Sequence, residues 1–116
     1  MNQMQDWNAF RDALGARVGE FAELNPEAMR GIQIIEKSAE QTARLEPKVR
    51  SMIALAVAVT TRCDGCIAMH TKKAIEAGAT REEIAEALGV AILLNAGAAL
   101  AYTARVFDAI DNLPSA

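Results

Sequence analysis

The sequence predicts an all-α fold, and three observations carry that prediction. Of its 116 residues, 24 are alanine, the strongest helix former. Apolar residues make up 52% of the chain and recur every three or four positions through most of it, the period of one helical face. The apolar run through Met52, Ile53, Leu55, Val57 and Val59 has β-branched members but no second strand candidate to pair with, and alanine alternates through it. The length fits a single compact domain, 1–116, built as a bundle of five to seven helices.

Each helix is legible from its punctuation. Trp7, Phe10, Leu14, Val18 and Phe21 mark a first amphipathic helix that carries three of the five aromatic residues on one stripe. Asn25-Pro26 supplies a cap and a proline at the first helical position of a second helix through Met29, Ile32, Ile35 and Ala39, which ends at Leu45-Glu46-Pro47. Pro47 opens a third through Met52, Ile53, Leu55, Val57 and Val59. Asp64-Gly65 breaks the pattern, which resumes from Cys66 to Ala77 and stops at Gly78, where a left-handed cap is favoured. Thr80-Arg81-Glu82-Glu83 reads as a capping box ahead of Ile84, Leu88, Ala91 and Ile92. Asn95-Ala96-Gly97 is expected to interrupt this last helix before it resumes through Leu100, Val106, Phe107 and Ile110.

Composition removes several classes of function. Twelve basic against 15 acidic side chains give a formal net charge of −3, and no Lys/Arg run exceeds Lys72-Lys73, so nucleic acid is not an expected partner. The first residues have neither a basic start nor an apolar stretch, so no secretory signal is readable and a cytoplasmic location is expected. The most membrane-like segment, Ala87 to Tyr102, falls short of the ~18 apolar residues of a spanning helix and contains Asn95, so no membrane partner is expected. A protein this size should bury roughly two-thirds of its unfolded surface without disulfide or metal staples. The abundance of alanine points in addition to apolar surface shared between subunits.

The chemistry concentrates in Arg62-Cys63-Asp64-Gly65-Cys66-Ile67-Ala68-Met69-His70, which holds both cysteines and the only histidine. In a cytosolic protein, the motif C-x-x-C marks a redox dithiol or half of a metal site. A structural zinc site wants four ligands, and two thiolates with one imidazole leave it short. Such a site would need an acidic residue, solvent or another subunit. The redox reading needs less. Cys63 at a helix entrance and Cys66 in its first turn stand about 5 to 6 Å apart at Cα, within reach of a disulfide. Helix N-termini favour thiolate, which matters because an unperturbed cysteine is only about 3% ionised at pH 7. His70 falls one turn after Cys66, roughly 6 Å away between Cβ atoms. Cys66 is therefore assigned as attacking thiolate, His70 as proton acceptor and donor, and Cys63 as resolving thiol.

Lys48 to Val59 followed by Arg62 to His70 resembles the core of the alkylhydroperoxidase AhpD-like, or carboxymuconolactone decarboxylase, family. Ala77 to Leu88 and Asn95-Ala96-Gly97 resemble its next two helices, so the likeness spans about residues 45–110. The resemblance implies an all-helical homo-oligomer, a trimer or hexamer, with thiol-dependent peroxidase or disulfide-reductase activity. Its substrate would be a hydroperoxide or disulfide, and its electrons would come from a thioredoxin-like or lipoyl-bearing donor without a bound organic cofactor. Decarboxylating members generally lack the cysteine pair. One departure bears on mechanism: the glutamate that relay-bearing members place twelve residues before the first cysteine is Ser51 here. A hydroxyl passes a hydrogen bond but cannot act as a carboxylate at neutral pH. Glu36 and Glu46 are the candidates to replace it, and Lys72, Lys73 and Tyr102 are candidates for a site mouth. The alternative is a weakly active or non-catalytic oligomer whose dithiol senses redox state.

Overall fold

The computed structural model describes residues 2–115, and all its regular elements are helices: α1 (Trp7–Leu24), α2 (Pro26–Thr42), α3 (Pro47–Thr61), α4 (Asp64–Glu76) and α5 (Arg81–Asp111). Local chemistry sets the boundaries. Asp6 accepts from the Ala9 amide at 3.0 Å to start α1, and Asn25 accepts from Ala28 at 3.2 Å to start α2. Proline occupies the first turn of both α2 and α3. Arg62 closes α3 in the left-handed region at φ 54°, with the following Cys63 amide donating back to Ala58 O at 3.0 Å. Gly78, at φ 91°, turns the backbone out of α4 without a Cβ penalty. Both halves of the capping box are present at α5: Thr80 Oγ1 accepts from Glu83 N, and Glu83 Oε1 from Thr80 N.

Two expected boundaries move. Asp64 and Gly65 lie inside the first turn of α4 rather than ahead of it. The break at Asn95-Ala96-Gly97 does not occur, and α5 runs unbroken for 31 residues. Asn95 is accommodated because its side-chain amide donates to Ala91 O at 2.7 Å and to Thr60 Oγ1 of α3 at 3.0 Å. Its hydrogen-bonding capacity thus ties α5 to α3 instead of ending the helix. Unbroken, α5 is long and apolar enough to cross a membrane by length and composition, contrary to the estimate from Ala87 to Tyr102.

The core lies where α3, α4 and the start of α5 meet. Leu55, Ala74 and Ala79 are buried there, with Met52, Ile84 and Leu88 packed around them. Lys48 and Glu83 pair across α3 and α5 at 2.9 Å. That contact holds the Glu83 carboxyl below, and the Lys48 ammonium above, their ordinary values. α1 crosses the first turns of α4: Arg11 donates to Ala68 O at 3.0 Å, and a Cβ on Gly65 would come within 2.8 Å of Leu14 Cδ2. Trp7, Phe10 and Leu14 are half-buried by this contact, whereas Val18 and Phe21 of the same stripe are exposed.

The expected two-thirds burial is not reached within the single chain. A folded monomer of 12.4 kDa exposes about 6,100 Å², whereas this one exposes 9479 Å². The radius of gyration, 19.2 Å, exceeds the ~13 Å of a compact domain this long. The reason is architectural: α2 buries none of its residues, and α5 buries only Ala91. Leu93, Leu100 and Phe107, spaced seven apart on α5, are each about two-thirds exposed or more (67%, 74% and 66%).

Candidate functional site

The left-handed turn at Arg62 reverses the backbone between α3 and α4 and leaves Cys63 as the N-cap of α4. Cys63 and Cys66 form a disulfide with their Cα atoms 5.2 Å apart, within the range expected from the spacing. The Cys63 sulfur also accepts the Cys66 amide at 3.1 Å, a sulfur occupying the capping position an oxygen usually fills. It is thus the Cys63 sulfur that sits among the free donors of the helix N-terminus, the environment that stabilises a thiolate on reduction. Both cysteines are half-buried.

His70 follows Cys66 by one turn on the same unbroken helix, so the two side chains share a face. The ring, half-buried, lines a cleft of about 560 Å³ between α2, α3 and α4. Burial pushes the imidazole below its ordinary pKa, the Lys73 charge pushes the same way, and the Glu36 charge opposes them. The net effect favours the neutral ring, the form that can accept a proton.

The cleft brings together some of the sequence candidates and leaves others apart. Ser51, only 8% exposed, lines the same cleft as His70. Glu36 reaches it from α2, with its carboxylate 3.8 Å from Lys73 Nζ. Glu46 is outside the lining; its charge acts on Lys48 instead. The cysteines are also outside the lining, so the cleft opens on the histidine side of the motif. Lys72 pairs with Glu76 at 4.0 Å, and Tyr102 stacks with Arg105 at 5.2 Å; neither lines the cleft. Among the described residues, no three His, Cys, Asp or Glu side chains gather closely enough to hold a metal ion.

Sequence reasoning missed Arg50 and Glu40, which line the same cleft. Arg50 Nη1 donates to Leu45 O at 2.6 Å, fixing the guanidinium over the α2–α3 connection. A signal for Glu40 was present: Glu36 and Glu40 are one turn apart on α2, a pair of acids on one helical face.

Comparison with other proteins gives a consistent relationship. The sequence profile of the carboxymuconolactone decarboxylase family matches residues 26–109. An uncharacterised protein of Haemophilus influenzae is 41% identical over 104 residues, 90% of this chain and 92% of the relative. One from Cupriavidus necator is 34% identical over 101 residues, covering 84% and 89%. A carboxymuconolactone decarboxylase family protein from Legionella pneumophila, solved as an apo crystal structure, is 30% identical. It superposes with a TM-score of 0.71 over 90% of this chain and 94% of its own. The profile spans most of the five-helix fold from α2 onward, and the fold is shared at a level of identity that carries common descent: the chain belongs to the carboxymuconolactone decarboxylase family.

Proposed function

We propose that this protein is a thiol-dependent oxidoreductase of the AhpD-like kind, reducing hydroperoxides or disulfides through a Cys63–Cys66 cycle. The observation that carries the reading is the disulfide at the entrance of α4 with His70 one turn along the same helix. In the reduced enzyme His70 takes the Cys66 thiol proton. The thiolate attacks the outer peroxide oxygen, an S–O bond forms as the O–O bond breaks, and the proton leaves His70 for the departing alkoxide. Cys63 then displaces water from the Cys66 sulfenic acid to give the disulfide. Two electrons from a thioredoxin-like or lipoyl-bearing dithiol restore the pair by thiol–disulfide exchange. With a disulfide substrate, the Cys66 thiolate displaces one substrate thiolate to form a mixed disulfide, and Cys63 then displaces the second to close the Cys63–Cys66 bond, the two departing thiolates taking up the protons released by Cys66 and Cys63.

The protein is further proposed to work as a homo-oligomer. Its surplus exposure, about 3,300 Å² per protomer, is several times the ~800 Å² a partner contributes to a standard interface. That favours each copy meeting more than one neighbour, as in a trimer or hexamer. A second reading, a dithiol that senses redox state within such an assembly, draws on the uncharged Ser51 in the same cleft as His70. Peroxide consumption by Cys66→Ser separates the two. The catalytic reading predicts that turnover is abolished. The sensing reading predicts negligible turnover in the parent and a change of oligomer mass on oxidation.

A further inference from the structure

We propose that Arg50 and Ser51 form an anion seat on the floor of the cleft. Resting on the thiol reading above, the oxidised substrate is then an amphiphile with a carboxylate, a fatty-acid hydroperoxide. The other charged residues of the lining, Glu36 and Glu40 of α2 with Lys73 and Glu76 of α4, are exposed and form the rim. Arg50 is half-buried and Ser51 only 8% exposed. Two of the rim carboxylates are already paired, Glu36 with Lys73 at 3.8 Å and Glu76 with Lys72 at 4.0 Å. Arg50 has no carboxylate partner among the described residues; its Nη1 donates to the Leu45 carbonyl at 2.6 Å.

That tether fixes the guanidinium and leaves its other donors free, and a fixed planar fork suits a carboxylate taken through two parallel hydrogen bonds. A partly desolvated cation without a counter-charge favours taking one up. Ser51 adds a hydroxyl donor. Among the described residues, every fully enclosed side-chain nitrogen or oxygen has a hydrogen-bond partner; Ser51 Oγ makes no such bond, so it opens to the cleft it lines. Being uncharged, it sets no carboxylate of its own against the guanidinium. Glu40, the remaining rim acid, is exposed, where water and salt screen its charge. The walls and the hairpin describe the rest of the ligand. Ile35, Ala39, Pro47 and Ala77 supply an apolar lining, and about 560 Å³ is the size of a small-molecule site. The turn at Arg62 sets the start of α3 beside the end of α4, so Arg50 lines the cleft together with Glu76. From Glu76 back to Cys66 is about 15 Å along α4. A ligand anchored at Arg50 therefore needs a long alkyl stretch to bring its hydroperoxide past His70 to the Cys66 sulfur, where the step above follows unchanged.

Two arms test this on the intact protein. The single histidine gives one set of imidazole resonances, which reports a ligand in the cleft. Decanoate titrated into the parent is expected to shift them to saturation. Arg50→Gln and Ser51→Glu are each expected to weaken that binding about tenfold or more. Binding of 1-decanol, which lacks the charge, should lose far less in Arg50→Gln. Ser51→Glu does not touch the Leu45 tether, so a loosened α2–α3 connection cannot mimic its effect. In turnover, kcat/KM of the parent is expected to favour linoleic acid hydroperoxide over its methyl ester several-fold, and Arg50→Gln to lose that preference. A His70 signal indifferent to decanoate, or undiminished decanoate affinity in both variants, overturns the seat. Equal use of acid and ester by the parent overturns the substrate assignment. The thiol reading fails on a different result, undiminished peroxide consumption by Cys66→Ser, which leaves the decanoate titration to judge the seat separately.

Discussion

Replacing Leu100 by glutamate probes the surface that the single chain leaves uncovered, which the proposed oligomer would cover. Leu100 is 74% exposed midway along α5, on the stripe it shares with Leu93 and Phe107. Covering a leucine of this kind contributes about 1.5 to 3 kcal/mol. Setting an unpaired carboxylate into the same apolar contact adds a penalty of several kcal/mol unless the carboxylate stays in water. A total above about 3 kcal/mol per protomer weakens association more than 100-fold. The assay is light scattering on detergent-free protein over a range of concentrations. The parent is expected to elute at a multiple of 12.4 kDa, and Leu100→Glu at a smaller mass with a lower melting temperature. A parent that stays monomeric at all concentrations, or that remains with the membrane fraction until detergent is added, refutes the assignment of this face to a second copy.

Three further results are expected. Arg62→Gly should raise stability by up to about 1 kcal/mol, because φ 54° strains any residue with a Cβ; thermal unfolding reads it. Thr80→Ala should lower stability by about 1 kcal/mol by removing the capping box of α5. Stability should also fall with pH in two steps. His70 has a folded pKa below its ordinary value, so its contribution is present above about pH 6.5 and is lost as the pH falls towards the folded value. Glu83, likewise depressed by Lys48, loses its contribution below the ordinary carboxylate range. Denaturant midpoints measured from pH 8 to 3 should show the upper step vanish in His70→Asn and the lower one in Glu83→Gln.

The starts of α2 and α5 were readable because their causes are local. A cap and the proline or glutamate that completes it lie within four residues, as at Asn25-Pro26 and Thr80 to Glu83. The continuity of α5 was not readable, because Asn95 is accommodated partly by Thr60, 35 residues away. The burial estimate failed for a related reason: it assumes a fold that closes on itself, and α2 and α5 do not. At the site, the spacing of Cys63, Cys66 and His70 anticipated the disulfide and the shared helix face. Spacing could name Glu36 and Glu46 but not tell which of them lines the cleft, since that depends on where α2 lies relative to α3 and α4. Arg50 escaped notice because nothing local marks it; only the placement of α2 alongside the start of α3 makes it part of a cleft.

The most direct measurement is mass spectrometry of the reduced protein after one equivalent of hydroperoxide, with free thiols labelled on quenching. The account predicts that the parent loses both labels together as the Cys63–Cys66 disulfide forms. A Cys63→Ser variant should stop at oxidised Cys66, and Cys66→Ser should keep its Cys63 label. Loss of the Cys63 label in Cys66→Ser at the parent rate would contradict the assignment of Cys66 as the sulfur that meets the oxidant.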